Sequence, residues 1–198
     1  MAGAIDIRCV TGPAVAAYVP DLARLRIEVF REFPYLYDGT AEYEEKYLAT
    51  YVECAESVVV LALDGGRVVG ASTGLPLEAE SVEFKAPFLA ADIEPRSVFY
   101  CGESVLLRAY RGRGIYREFF AGRENHARTL GRFSRMALCA VVRPADHPRR
   151  PPDYAPLDAV WRKFGYIPRE DLIAQFEWKD LDENVASAKR MVFWEKPL

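Results

Sequence analysis

The chain has 198 residues, 51% hydrophobic and 28% charged, which excludes a disordered polymer and leaves room for one domain with a substantial core. A net charge of −3 argues against a general nucleic-acid binder, which is usually basic. No apolar stretch approaches ~20 residues, so no membrane span is expected, and no basic segment precedes an apolar run at the N-terminus, so no signal peptide is expected.

The four cysteines, Cys9, Cys54, Cys101 and Cys139, form no CxxC pair. They read as reduced core residues of a cytoplasmic protein, with no zinc site. The two histidines, His126 and His147, are too scattered for a histidine-based metal site, so no metal is expected.

In chain order, Ile5 to Val10 alternates apolar and polar residues as a first strand does. Thr11, Gly12 and Pro13 end it, and a short helical piece follows over Ala14 to Tyr18. Pro20 and Asp21 suit the first turn of a longer helix, with Leu22, Leu25, Val29, Phe30 and Phe33 on its buried face. Phe33 to Gly39 is an aromatic loop. Thr40 caps a second helix that places Tyr43, Tyr47, Leu48 and Tyr51 on one side and Glu42, Glu44 and Glu45 near the positive end of its dipole. Ser57 to Leu63 and Arg67 to Leu77 are strands of a hairpin turning at Asp64, Gly65 and Gly66. Glu78 to Arg96, acidic and containing Pro87 and Pro95, reads as a loop with at most one helical turn.

Val98 to Leu107 is a near-continuous apolar run with Gly102, Glu103 and Ser104 as its polar members, which predicts one strand buried on both faces. A polar turn follows over Arg108 to Arg113. Beyond Gly114 the period becomes helical, with Ile115, Phe119 and Phe120 recurring on one face, and the helix ends near Gly131. Arg135 to Val142 is another buried strand, Pro144 to Pro156 a long proline-rich loop of the kind that often carries function, and Leu157 to Phe164 a short helix stopped by Gly165. Leu172 to Lys179 alternates as a strand. Asp180 to Ala188 is polar, and Arg190 to Glu195 closes a terminal hairpin.

The strand, glycine turn and helix around Gly112 and Gly114 point free backbone N–H groups and a helix dipole at one place, a ready phosphate site. A P-loop needs GxxxxGK, which is absent. A GxGxxG dinucleotide turn is broken by Arg117 and belongs after a first strand.

RGRGIY, Arg111 to Tyr116, resembles instead the coenzyme A signature Q/R-x-x-G-x-G/A of the GNAT superfamily of N-acetyltransferases, with Arg111 as Q/R and Gly114 as the first glycine. Tyr116 stands where Gly or Ala is usual, so its ring either runs along the helix or crowds the cofactor. WRKFGY, Trp161 to Tyr166, is similar to the family's late-helix ending. The resemblance covers nearly the whole chain and implies an α/β fold of the α+β type: one domain over residues 1–198, a mixed and mostly antiparallel sheet flanked by helices, and a splayed central strand pair.

It further implies acyl transfer from acetyl-CoA, a co-substrate, to an amine by direct attack. Arg111, Gly112, Arg113, Gly114, Ile115 and Tyr116 would meet the pyrophosphate. Val105, Leu106 and Leu107 would hold the pantetheine arm, with Cys139 to Val142 across the gap, and a backbone N–H near Val105 or Leu106 would serve the oxyanion. Glu103, the one carboxylate in the apolar strand, is the candidate general base; the competing reading pairs it with a buried arginine such as Arg108 or turns it to solvent at a bulge. Tyr154 is the candidate general acid, because Trp161 stands where many relatives carry a tyrosine; water is the alternative. Asp38 and Glu42 are candidates to attract a cationic amine. The expected partner is a small-molecule amine, with no nucleic acid and no membrane, and a homodimer is compatible. A protein N-terminus or lysine is the alternative acceptor, and a non-catalytic acyl-CoA-binding module is the alternative class.

Overall fold

The computed structural model describes residues 4–198; residues 1–3, on which the expectation about a leader partly rests, lie outside them. In chain order the elements are β1 (Asp6–Thr11), α1 (Val19–Phe30), α2 (Ala41–Glu53), β2 (Val58–Asp64), β3 (Arg67–Pro76), α3 (Val82–Ala90), β4 (Val98–Cys101), β5 (Ser104–Leu106), α4 (Ile115–Leu130), β6 (Arg135–Val141), α5 (Asp158–Lys163), β7 (Ile167–Trp178) and β8 (Ser187–Pro197). The sheet runs β1-β2-β3-β4-β6-β8-β7, with β5 added to β3 beside β4. Every described pairing is antiparallel except β4 with β6.

Local chemistry explains the frame. The β2–β3 hairpin turns on Gly65 and Gly66, both at positive φ, as a tight turn between twisted strands requires. Thr40 accepts the Tyr43 N–H at the start of α2, and Gly131, left-handed at φ +70°, ends α4. Along β3, Thr73 faces Tyr51 of α2 while Gly70 faces Phe119 of α4. Alternation therefore puts α2 and α4 on opposite faces of the sheet.

Four expectations are corrected. First, 98–107 is two strands. Tyr100 pairs with Leu75 but Ser104 pairs with Ser72, so this side carries one extra residue, a bulge at Gly102–Glu103. A Cβ at Gly102 would lie 2.1 Å from the Tyr51 hydroxyl and 2.7 Å from Thr73 Oγ1, and only glycine fits. Second, the acidic stretch after β3 contains a nine-residue helix, α3, with Pro87 inside it. Packing overrides the proline: Phe88 is fully buried against Phe193, and Phe84 lies against Tyr100 and Phe176. Third, β7 starts at Ile167 rather than Leu172, because a register shift between Arg169 and Ile173 interrupts the two-residue period; β8 likewise extends past both ends of Arg190–Glu195. Fourth, α2 turns Glu44 inward and leaves Tyr43 56% exposed, because Arg26 of α1 waits beneath it as an ion partner.

Candidate active site

The site begins where the sheet opens. β4 runs beside β6 as far as the pair Cys101–Leu138. Beyond it β5 follows β3 while β6 continues with β8 alone, and a wedge opens between Ser104–Leu106 and Cys139–Val142. It forms part of a cleft of about 1340 Å³. The hydrogen-bonding phase on each edge follows from neighbouring bonds. Thr73 N–H donates to Glu103 O and Leu107 N–H to Val69 O, so Glu103, Val105 and Leu107 spend their backbone groups on β3 while Ser104 and Leu106 turn theirs to the gap. Val142 N–H donates to Arg190 O, which leaves Cys139 and Val141 facing the gap from the other side. Of Val105, Leu106 and Leu107, then, Leu106 turns its backbone toward the gap, with its carbonyl accepting from Arg111 Nε, while Val105 and Leu107 turn theirs to β3; Ser104 faces the gap as well.

At the mouth, Gly112 and Gly114 sit at φ +77° and +82°. A Cβ on either would meet nothing within 4 Å, so the left-handed backbone, not crowding, is what demands glycine. The N–H groups of Gly112, Arg113, Gly114, Ile115 and Tyr116 donate to no acceptor among the described residues, and they lie where α4 begins, a favourable place for phosphate. Arg108 and Arg113 are exposed on this turn. Arg111 lines the cleft with its guanidinium held by protein partners: Nε donates to Leu106 O at 3.0 Å and both Nη atoms bind Glu32 at 2.8 and 2.9 Å. It ties the turn to the end of α1. The Tyr116 ring runs along α4 against Phe119 and Phe120 and lines the cleft. Burial pushes its phenol up, against the opposing pull of Arg123, the Ser104 hydroxyl and Arg111.

At the inner end, on the α1–α2 face, the bulge delivers Glu103. Its Oε2 is 2.7 Å from Arg26 Nη1, and Tyr47 donates to the same oxygen at 3.5 Å; Oε1 has no partner. The partner is Arg26 rather than Arg108. Arg26 also pairs with the fully buried Glu44, and its guanidinium stacks over the Tyr47 ring at 4.2 Å. Glu80, 5% exposed, completes the group; burial first, and then Glu103, push its carboxyl up to about 7. One arginine thus stands among three buried carboxyls, each with an oxygen lacking a protein partner. Burial pushes the Cys139 thiol up to about 12, where it accepts from or donates to the Tyr100 hydroxyl at 3.0 Å. That thiol is neutral and unsuited to nucleophilic attack.

Tyr154 lines the outer wall, edge-on to Phe33 at 4.7 Å and beneath Arg150 at 4.9 Å. Burial raises its phenol, so it stays protonated. Trp161 meets Trp194 at 5.2 Å and lines the cleft too. Asp38 is spent on Arg31 and Lys179 at 3.0 and 2.6 Å, so it is no free lure for an amine. Arg26 and its pairing with Glu44 escaped sequence reading, yet Arg26 carries a signal: it falls within the stripe Leu22, Leu25, Val29 that turns inward. Among the described residues no group of His, Cys, Asp and Glu is placed to hold a metal, and no helix is long and apolar enough to cross a membrane.

No family model matches the chain, and no curated protein matches it in sequence. Solved structures do match. A ribosomal-protein-alanine N-acetyltransferase from Brucella melitensis superposes with a TM-score of 0.62 at 16% identity, over 98% of this chain and 99% of that one. A GNAT-family acetyltransferase from Streptococcus pneumoniae gives 0.58 at 16% identity, over 98% and 100%. A Salmonella typhimurium structure with its cofactor acetyl-CoA gives 0.58 at 13% identity, over 99% and 95%. At these identities the likeness concerns the fold, and the fold of this chain is that of GNAT acetyltransferases.

Proposed function

We propose that the protein is a coenzyme A-dependent N-acyltransferase that passes an acetyl group to a primary amine of a small molecule. The observation that carries this is the continuity of two features: an open gap between β5 and β6, which do not pair with each other, and a turn at its mouth with five consecutive N–H groups unused. An extended arm bearing amides at one end and a pyrophosphate at the other satisfies both.

Gly112 to Tyr116 would receive the pyrophosphate, and Ser104, Leu106, Cys139 and Val141 the amides of the arm. The thioester of acetyl-CoA supplies the carbonyl. Leu106 N–H is the donor for the developing oxyanion, a role whose loss typically costs about 10²–10³ in rate. Glu103 Oε1 faces the amine and takes its proton, while Arg26 holds the other oxygen and fixes the carboxylate's direction. Tyr154 keeps its proton and is the donor candidate for the departing thiolate.

A roof supports a small acceptor over a protein tail. Phe33 of the aromatic loop touches Tyr154 and His147 of the proline-rich loop, and Arg150 lies over Phe33 and Tyr154. The two loops meet over the cleft.

The test is thiol release from acetyl-CoA against a panel of primary amines. Saturable release with a small amine is expected, and Glu103→Gln should lower kcat about 10²–10⁴-fold. Acetyl-CoA binding with no release for any amine would leave a binding module instead. Failure of acetyl-CoA to raise the melting temperature would overturn the proposal.

A further inference from the structure

Arg123 lies in the third turn of α4, on the face opposite Glu103. It is 2% exposed. Its side chain lines the cleft, and Nε is buried without a partner. Among the described residues its guanidinium forms no ion pair and no hydrogen bond; it lies over the Phe120 ring, 4.9 Å from Cζ. An arginine stays charged at any accessible pH, and a buried charge without a counter-charge is among the costliest groups a fold can hold. Among the described residues the other buried cations, and the part-buried Arg143, are compensated: Arg26 by Glu44 and Glu103, Lys189 by Glu183 and Asp180, Arg143 by Asp180. Arg123 is the exception, and it borders a cleft.

Its place in the cleft is specific. It lies nine positions beyond Gly114, about 14 Å along a helix, too far to share the phosphate turn. Its charge acts on the phenols of Tyr116 and Tyr166, pulling both down against burial. The Tyr166 hydroxyl in turn lies 3.7 Å from Cys101 Sγ, and Cys101 belongs to the last pair before the gap opens. The Phe120 ring beneath the guanidinium lies 5.6 Å from the Tyr116 ring and 5.8 Å from the Tyr166 ring, so the charge sits in an aromatic cluster that reaches the closed end of the gap.

We propose that Arg123 is a carboxylate-binding group, receiving a carboxylate carried by the ligand of this cleft. Guanidinium and carboxylate match in charge and fork geometry. The site itself stands on the geometry of Arg123; which molecule brings the carboxylate rests on the coenzyme A reading. Two sources share the chemistry: an acyl group ending in a carboxylate, or an acceptor that is an amino acid.

Three matched pairs of probes test it, each differing in the carboxylate: succinate against succinamide, succinyl-CoA against propionyl-CoA, and alanine against alaninamide, with affinities measured by calorimetry on the full chain. At least one pair should favour the carboxylate about tenfold or more, and Arg123→Gln should bring that ratio close to one. A preference for succinyl-CoA assigns the carboxylate to the acyl group; a preference for alanine assigns it to the acceptor. Preference for succinate with no binding of either thioester would sink the coenzyme A reading and leave this one standing. Equal affinity within all three pairs for the wild type, a comparison that needs no variant, overturns it. So does a preference that survives Arg123→Gln in a protein whose circular dichroism is unchanged.

Discussion

Glu80 makes a prediction that can be worked through from the structure. The carboxyl is 5% exposed, Oε1 has no partner, and burial together with the Glu103 charge holds its pKa at about 7 against 4.5 for a free glutamate. A folded-state value above the unfolded one means that the folded protein binds the proton more tightly. The resulting stability is present below pH 4.5 and is lost as pH rises through 7. Between pH 5 and pH 8 the linkage amounts to about 2–3 kcal/mol of unfolding free energy, or roughly 5–10 °C in Tm for a chain of this size. The large downward shift at Glu183, to about 2, and the upward one at Cys139, to about 12, titrate outside this window. Urea unfolding at pH 5, 6, 7 and 8 should therefore show stability declining with pH. Glu80→Gln, which mimics the neutral form, should flatten the decline. A wild type equally stable across the range, or a Glu80→Gln protein that keeps the slope, refutes the reasoning.

Two further outcomes follow from the same cluster and from the turn. Arg26→Met removes the one cation from among Glu44, Glu80 and Glu103 and should cost about 3–5 kcal/mol, read as a lowered urea midpoint; a loss under 1 kcal/mol would mean that the carboxyls are already compensated elsewhere. Gly114→Val forces a β-branched residue to φ +82° at a strain of roughly 1–2 kcal/mol. With open space around its Cβ the protein should still fold, while the stabilisation by acetyl-CoA disappears; an unchanged thermal shift would separate the turn from the cofactor.

Much of the site was legible in the chain. Gly112 and Gly114 stand out because a strand, a polar turn and a helix follow one another with an abrupt change of period, and the structure gives both glycines the left-handed backbone such a turn uses. Glu103 stands out because it interrupts an apolar run. What the run conceals is its own break: valine, leucine and cysteine look alike on either side of the bulge, and only the Tyr51 hydroxyl pressing on Gly102 shows why the strand slips there. Pro87 misleads in the opposite direction, since the burial of Phe84 and Phe88 outweighs a local preference against helix.

The order of strands and helices, the phosphate-type turn and the single carboxylate of the central strand belong to the sequence, because periodicity, glycine and proline act over a few residues. The partners of that carboxylate do not. Arg26 and Glu44 lie 77 and 59 positions before Glu103 in the chain, and whether their charges pair with one another or with solvent is decided by the packing of α1 and α2 on the sheet. The same holds for Arg123, an ordinary polar residue in the helical pattern. Tertiary burial alone makes it a charge without a counterpart, because the cost of an unpaired ion exists only once water has been removed from around it.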